Sequence, residues 1–305
     1  MNNYQGSLQP EKFPPLPSGW ISDWETYPSS DGVVQLYGVN HHKKDPTRPA
    51  TLMILHGMGE HGGRYLHFPE YLKNEIDSVY CLDHRGHGRS EGLRGHVERF
   101  DIFAEDVILT IKRLEESLKK KFGRAEIHLF AHSLGGLIAL RALLLRTDLP
   151  LMSVTISSPL LGVKVAVPLV KKSAGYLLSS VWGNLQMTNV IDPSVISRDP
   201  AVVETYVKDR LNHAKVTPKF FTELEKARKN TLKRGKEIHY PTLFTIAMQD
   251  KLVDPEVAIQ FYQSIGSKDK SLQTYPDFYH ESFNEPEKEK AFEDLRKWIK
   301  IHEKN

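Results

Sequence analysis

Apolar residues along this chain follow two spacings that take turns. Short runs rich in β-branched and aromatic residues occur at 21–27, 33–39, 51–56, 78–83, 126–132, 152–157, 242–248 and 271–275, and read as eight strands. From the third run onward they are separated by stretches of helical periodicity at 65–74, 103–121, 136–146, 255–264 and 286–302. Such alternation predicts an α/β fold: an eight-stranded, mostly parallel sheet covered by helices on both faces. One interval is out of scale. About 85 residues separate Ser157 from Thr242, far more than an ordinary crossover needs. The interval is rich in helix formers and carries Tyr176, Trp182, Tyr206, Phe220 and Phe221. This predicts a mostly helical cap at 159–235, inserted between two parts of one core at 1–158 and 236–305.

The junction after the fifth run carries the chemistry. It reads Ala131, His132, Ser133, Leu134, Gly135, with strand composition before it and an all-round apolar helix after it. A serine on a sharp strand-to-helix turn is presented to substrate, and the positions two before and two after it must be small because the backbone closes tightly there. Ala131 departs from the usual G-x-S-x-G pattern by one methyl. A serine hydroxyl attacks only when a base removes its proton, so a histidine held by an acid is required. His280 follows the last predicted strand and Asp250 the one before it, so Ser133, Asp250 and His280 each sit at the carboxyl end of a predicted strand. Asp254 is the rival acid, but it directly precedes Pro255 and a helix, where N-capping is its expected task. The oxyanion formed during acyl transfer needs backbone donors. The amides of Leu134, at the helix start, and Met58, between Gly57 and Gly59 after the third strand, are the candidates.

Composition narrows the alternatives. With 305 residues, 40% hydrophobic and 26% charged, the chain is ordinary globular protein. A formal charge of +3 without a basic stripe gives no expectation of nucleic-acid binding. Cys81 is the only cysteine, which excludes an intrachain disulfide and fits a reducing, cytoplasmic location. Residues 1–17 are polar and proline-rich, unlike a signal peptide, and the longest apolar stretch, 151–170, is broken by Pro159, Gly162, Lys164 and Pro168, which makes a poor membrane span. His56, His61, His84 and His87 lack metal-ligand spacing, and Gly57, Gly59, Gly62 and Gly63 form no dinucleotide fingerprint, so neither metal nor cofactor is expected.

Taken together, 56–61 with Arg64 and Tyr65 (HGMGEHGGRY), 83–92 (DHRGHGRSEG), 131–136 (AHSLGG), Asp250 and His280 resemble the monoacylglycerol lipase and lysophospholipase family of serine α/β-hydrolases. The likeness runs from about Thr51 to the C-terminus and includes 197–200 (SRDP) in the insertion. It implies the α/β-hydrolase fold and hydrolysis of the single acyl ester of a monoacylglycerol under a lipophilic cap. A lysophospholipid is the alternative substrate, and a broader carboxylesterase or acyltransferase the alternative activity. A non-catalytic binding protein on the same scaffold is the remaining reading. The resemblance also puts Glu60, Arg64 and His132 at the polar end of the pocket as head-group contacts; the competing reading is that Glu60 and Arg64 pair to hold the oxyanion loop. Residues 160–185, apolar with Lys164, Lys171 and Lys172, read as cap packing onto the core or as a peripheral contact with a lipid surface.

Overall fold

The computed structural model describes residues 15–164, 182–188 and 192–303. All eight expected strands lie in one sheet, as β1 (Trp20–Pro28), β2 (Gln35–Lys43), β3 (Ala50–Leu55), β4 (Ser78–Asp83), β5 (Glu126–His132), β6 (Leu151–Ser157), β9 (Thr242–Ala247) and β10 (Lys270–Tyr275). Their order is β1-β2-β4-β3-β5-β6-β9-β10. Pairing is parallel from β4 through β10, and only β2 runs against its neighbours. β3, β4, β5 and β9 are buried at every residue, because helices cover both faces of a parallel sheet. This is the α/β-hydrolase architecture expected above.

Among the described residues, the helices are α1 (Phe68–Leu72), α2 (Asp101–Phe122), α3 (Leu134–Leu145), α4 (Pro200–Lys208), α5 (Pro218–Lys233), α6 (Pro255–Ser264) and α7 (Glu289–Ile301). Period-two alternation divides the core between the two faces. Met53, Leu55 and Leu129 pack with Phe103 of α2 and Leu137 of α3, whereas Leu52, Ile54 and Phe130 pack with Phe68 of α1 and Phe292 of α7. α3 is buried from Leu134 through Leu144, as its all-round apolar composition demands. α2 exposes Lys119, Lys120 and Lys121 at its end, where cations suit the helix dipole.

Two expectations need correction. The helix expected at 65–74 is a 3-10 turn, Gly62–Tyr65, followed by the five-residue α1, because Pro69 lacks an N–H and is tolerated only in a first turn. β2 starts and ends later than expected: polar His41 continues the strand, buried against Ser22 Oγ at 2.7 Å, while Val33 is left in the exposed turn. Between β6 and β9 the described residues hold α4, α5 and a two-residue antiparallel ribbon, β7 (Met187–Thr188) with β8 (Lys215–Val216), which is too short to leave a periodicity. α4 and α5 begin at Asp199 and Thr217, whose side chains accept from the amides of Ala201 and Phe220. Lys171, Lys172 and Tyr176 lie outside the described residues. Lys164 is exposed, and its ammonium donates to the Asp250 carbonyl oxygen at 2.8 Å. Among the described residues, no helix is long and apolar enough to cross a membrane.

Candidate active site

Ser133 is the residue between β5 and α3, and its backbone is strained: φ is 52° and ψ −113°. A non-glycine residue there costs of order 1–3 kcal/mol and persists only where its surroundings hold it. They do. Ser133 N–H donates to Ser157 O at 3.0 Å, and Ser133 O accepts from Leu137 at 3.2 Å and Leu160 at 2.9 Å. The demand for a small residue at 135 is equally direct, since a Cβ there would stand 2.6 Å from the His56 carbonyl oxygen and closer still to that of Leu55.

Asp250 and His280 come together from the loops after β9 and β10. His280 Nδ1 lies 2.5 Å from Asp250 Oδ2, and since a carboxylate only accepts, Nδ1 carries the proton. The other oxygen, Asp250 Oδ1, accepts from the amides of Leu252 at 2.8 Å and Val253 at 3.0 Å. Burial opposes the Asp250 charge, but His280 and those amides prevail and its pKa is lowered. Burial likewise opposes charging His280; Asp250, with Glu281 and Glu60 behind it, prevails and raises that pKa above the ordinary histidine value. Asp254 takes the other role expected of it, accepting from the Glu256 amide at 3.1 Å to cap α6.

Ser133 and His280 both line a cavity of about 820 Å³, together with Met58, Glu60, Arg64 and His132. Met58 therefore faces the same space as Ser133, and Leu134 N–H belongs to the first turn of α3, whose amides have no partner within the helix. The rest of the wall is largely apolar, from Leu160, Val163, Phe220, Phe221, Leu224 and Val257. His132, its ring centroid 4.6 Å from that of His280, is held neutral by burial and by His280, its pKa pushed down to about 3.

Glu60 and Arg64 make a buried network. Glu60 Oε1 accepts from the Gly57 amide at 2.5 Å and Tyr65 Oη at 2.9 Å, and Oε2 accepts from Arg64. Arg64 also grips Glu281 with two bonds, at 2.7 and 2.8 Å, and stacks on Tyr206 with its guanidinium carbon 4.8 Å from the ring centroid. Sequence reasoning missed Glu281, which only its place beside His280 could have suggested. It also missed Asp209. His61 Nδ1 accepts from Gly63 N–H at 3.2 Å, so its Nε2 carries the proton and donates to Asp209 Oδ2 at 2.8 Å. His213 N–H donates to Gly59 O at 2.8 Å. The stretch after α4 is thus fastened to the loop that carries Met58. The 197–200 segment is fastened to the His280 loop, through Ser197 Oγ to Asn284 O at 2.9 Å and Arg198 Nε to Glu285 at 2.6 Å.

The family model described as serine aminopeptidase, S33, matches residues 46–287. A Dictyostelium discoideum abhydrolase domain-containing protein is 32% identical over 82% of this chain, although the chain spans only 26% of that longer protein. The monoglyceride lipase of Homo sapiens is 30% identical over 84% of this chain and 84% of its own length. Among solved structures, the monoacylglycerol lipase of Paleococcus ferrophilus superposes with a TM-score of 0.76 at 29% identity, covering 88% of this chain and 99% of that one. By the extent of these matches and the architecture beneath them, the chain belongs to the serine aminopeptidase S33 family of α/β-hydrolases and is an ester hydrolase.

Proposed function

We propose that this ester hydrolase cleaves the acyl ester of a monoacylglycerol to fatty acid and glycerol. The observation that carries the reading is the 2.5 Å bond from His280 to Asp250, on the wall of a largely apolar cavity that Ser133 shares. Ser133 attacks the ester carbonyl while His280 Nε2 takes its proton, and Asp250 fixes the tautomer and stabilises the imidazolium. The amides of Met58 and Leu134 donate to the oxyanion. His280 returns the proton to the departing glycerol oxygen, then activates the water that releases the fatty acid. Glu60 and Arg64 act mainly by holding the Gly57–Met58 turn, since both Glu60 oxygens are already engaged. Neutral His132 is the group left to meet a glycerol hydroxyl. The 159–235 insertion serves as the cap over the acyl chain, and the exposed Trp182, Leu185 and Met187 on it favour contact with a lipid surface.

Purified protein assayed side by side on monoacylglycerol, diacylglycerol and lysophosphatidylcholine tests the reading, with liposome flotation for the surface contact. Monoacylglycerol should turn over at least tenfold faster than the others, and a fluorophosphonate probe should label Ser133. Preference for lysophosphatidylcholine, or failure of the probe to label, would defeat it; failure to float with any liposome would remove the surface contact.

A further inference from the structure

α5 presents one stripe to the cavity. It begins apolar, with Phe220, Phe221 and Leu224, and then continues into Glu225 and Arg228. These two form a bidentate pair, Arg228 Nε to Glu225 Oε1 at 3.0 Å and Nη2 to Oε2 at 2.9 Å, with side chains only 18% and 9% exposed. An ion pair in the wall of a hydrocarbon pocket demands a reason. Its distance from the nucleophile follows from the backbone. Leu160 N–H donates to Ser133 O at 2.9 Å, and Arg228 Nη1 donates at 2.8 Å to the carbonyl oxygen of the next residue, Leu161. With a reach of about 3.5 Å per residue, the guanidinium lies within about 13 Å of the Ser133 carbonyl oxygen.

We propose that the Glu225–Arg228 pair sets the acyl-length limit of this enzyme, restricting its preference to medium chains. The inference rests on the lipid-ester reading above. A zigzag chain advancing about 1.3 Å per C–C bond therefore reaches the pair in no more than about ten carbons. Up to that point each methylene laid against Leu160, Phe220 or Leu224 leaves water for an apolar wall, which raises kcat/KM by about fourfold. Beyond it, a methylene covers the ion pair and strips its remaining hydration while offering no hydrogen bond in return. The gain then ends.

The test is kcat/KM for a series of monoacyl esters from butyrate to stearate, each below its critical micelle concentration. Wild type should rise steeply to a break no later than about decanoate and then level or fall. In the volume-conserving apolar double variant Glu225→Leu/Arg228→Met, the ratio of stearate to decanoate should increase at least tenfold. A wild-type profile that climbs unbroken to stearate overturns the proposal whether or not the double variant folds. So does a folded double variant with the wild-type ratio. Absence of hydrolysis at every length would instead sink the lipid-ester reading, and this inference with it.

Discussion

Replacing Asp250 with asparagine keeps the shape of the residue and changes one thing, the number of acceptors. The carboxylate accepts on both sides: Oδ1 from the amides of Leu252 and Val253, Oδ2 from His280 Nδ1. An asparagine has one oxygen and one NH₂, so it satisfies one side only. Turning the NH₂ toward the loop leaves two buried amides without an acceptor, at about 1–3 kcal/mol each. Turning it toward His280 leaves one mismatch, which the imidazole removes by moving its proton to Nε2. Two against one decides the orientation. The ring then carries its proton on the nitrogen that must accept from Ser133, and the base is lost while its position is kept. Asp250→Asn should therefore lower kcat by about 10⁴, equivalent to about 5.5 kcal/mol in the barrier, with the fold retained. Steady-state hydrolysis of a short ester, with the rate of fluorophosphonate labelling alongside it, reads the effect. A variant within tenfold of wild type in both would refute the tautomer argument and the role of Asp250 together.

Two further outcomes follow from strain and from burial. Ser133→Ala and Ser133→Gly should both abolish turnover, but the glycine variant should be more resistant to thermal unfolding by about 1 kcal/mol, because φ of 52° is strained for any side chain; equal or lower stability would mean that the turn stores no strain. Stability should also fall on acidification well before the carboxylates titrate. His41 and His84, with pKa lowered to about 4, and His67, His128 and His132, lowered to about 3, are buried and neutral in the fold, mainly through burial. Unfolded, each takes up a proton near pH 6.5, so each removes up to about 1.4 kcal/mol per pH unit between there and its folded value. His280, with its raised pKa, works in the opposite direction, one ring against these five. Urea unfolding at pH 7 and pH 5 should differ by on the order of 8 kcal/mol, and coincident curves would contradict the sign of the argument.

What was legible in the sequence, and what was not, divides by the range over which each feature acts. The sheet could be read because strands buried on both faces must be apolar at consecutive positions, as in β3, β4 and β5, and the site because Ser133 directly follows β5 while Asp250 and His280 come shortly after β9 and β10. The end of β2 was misplaced because His41 is buried beside Ser22, 19 positions away, and composition alone makes it look like a loop residue. The polar frame of the site was invisible for the same reason carried further. Arg64 meets Glu281 across 217 positions, and His61 meets Asp209 across 148, so no local spacing announces either contact. The Glu225–Arg228 pair shows the opposite failure. Its i, i+3 spacing is that of the ordinary ion pairs on exposed helix faces, such as Lys226 with Glu223 on the same helix. Nothing in the spacing distinguishes the two, and only the packing of α5 turns one pair outward to solvent and the other toward the substrate cavity. A residue pair that composition assigns to the surface can therefore govern specificity, because the same charges that are worth little in water become a barrier where a hydrocarbon chain must displace their hydration.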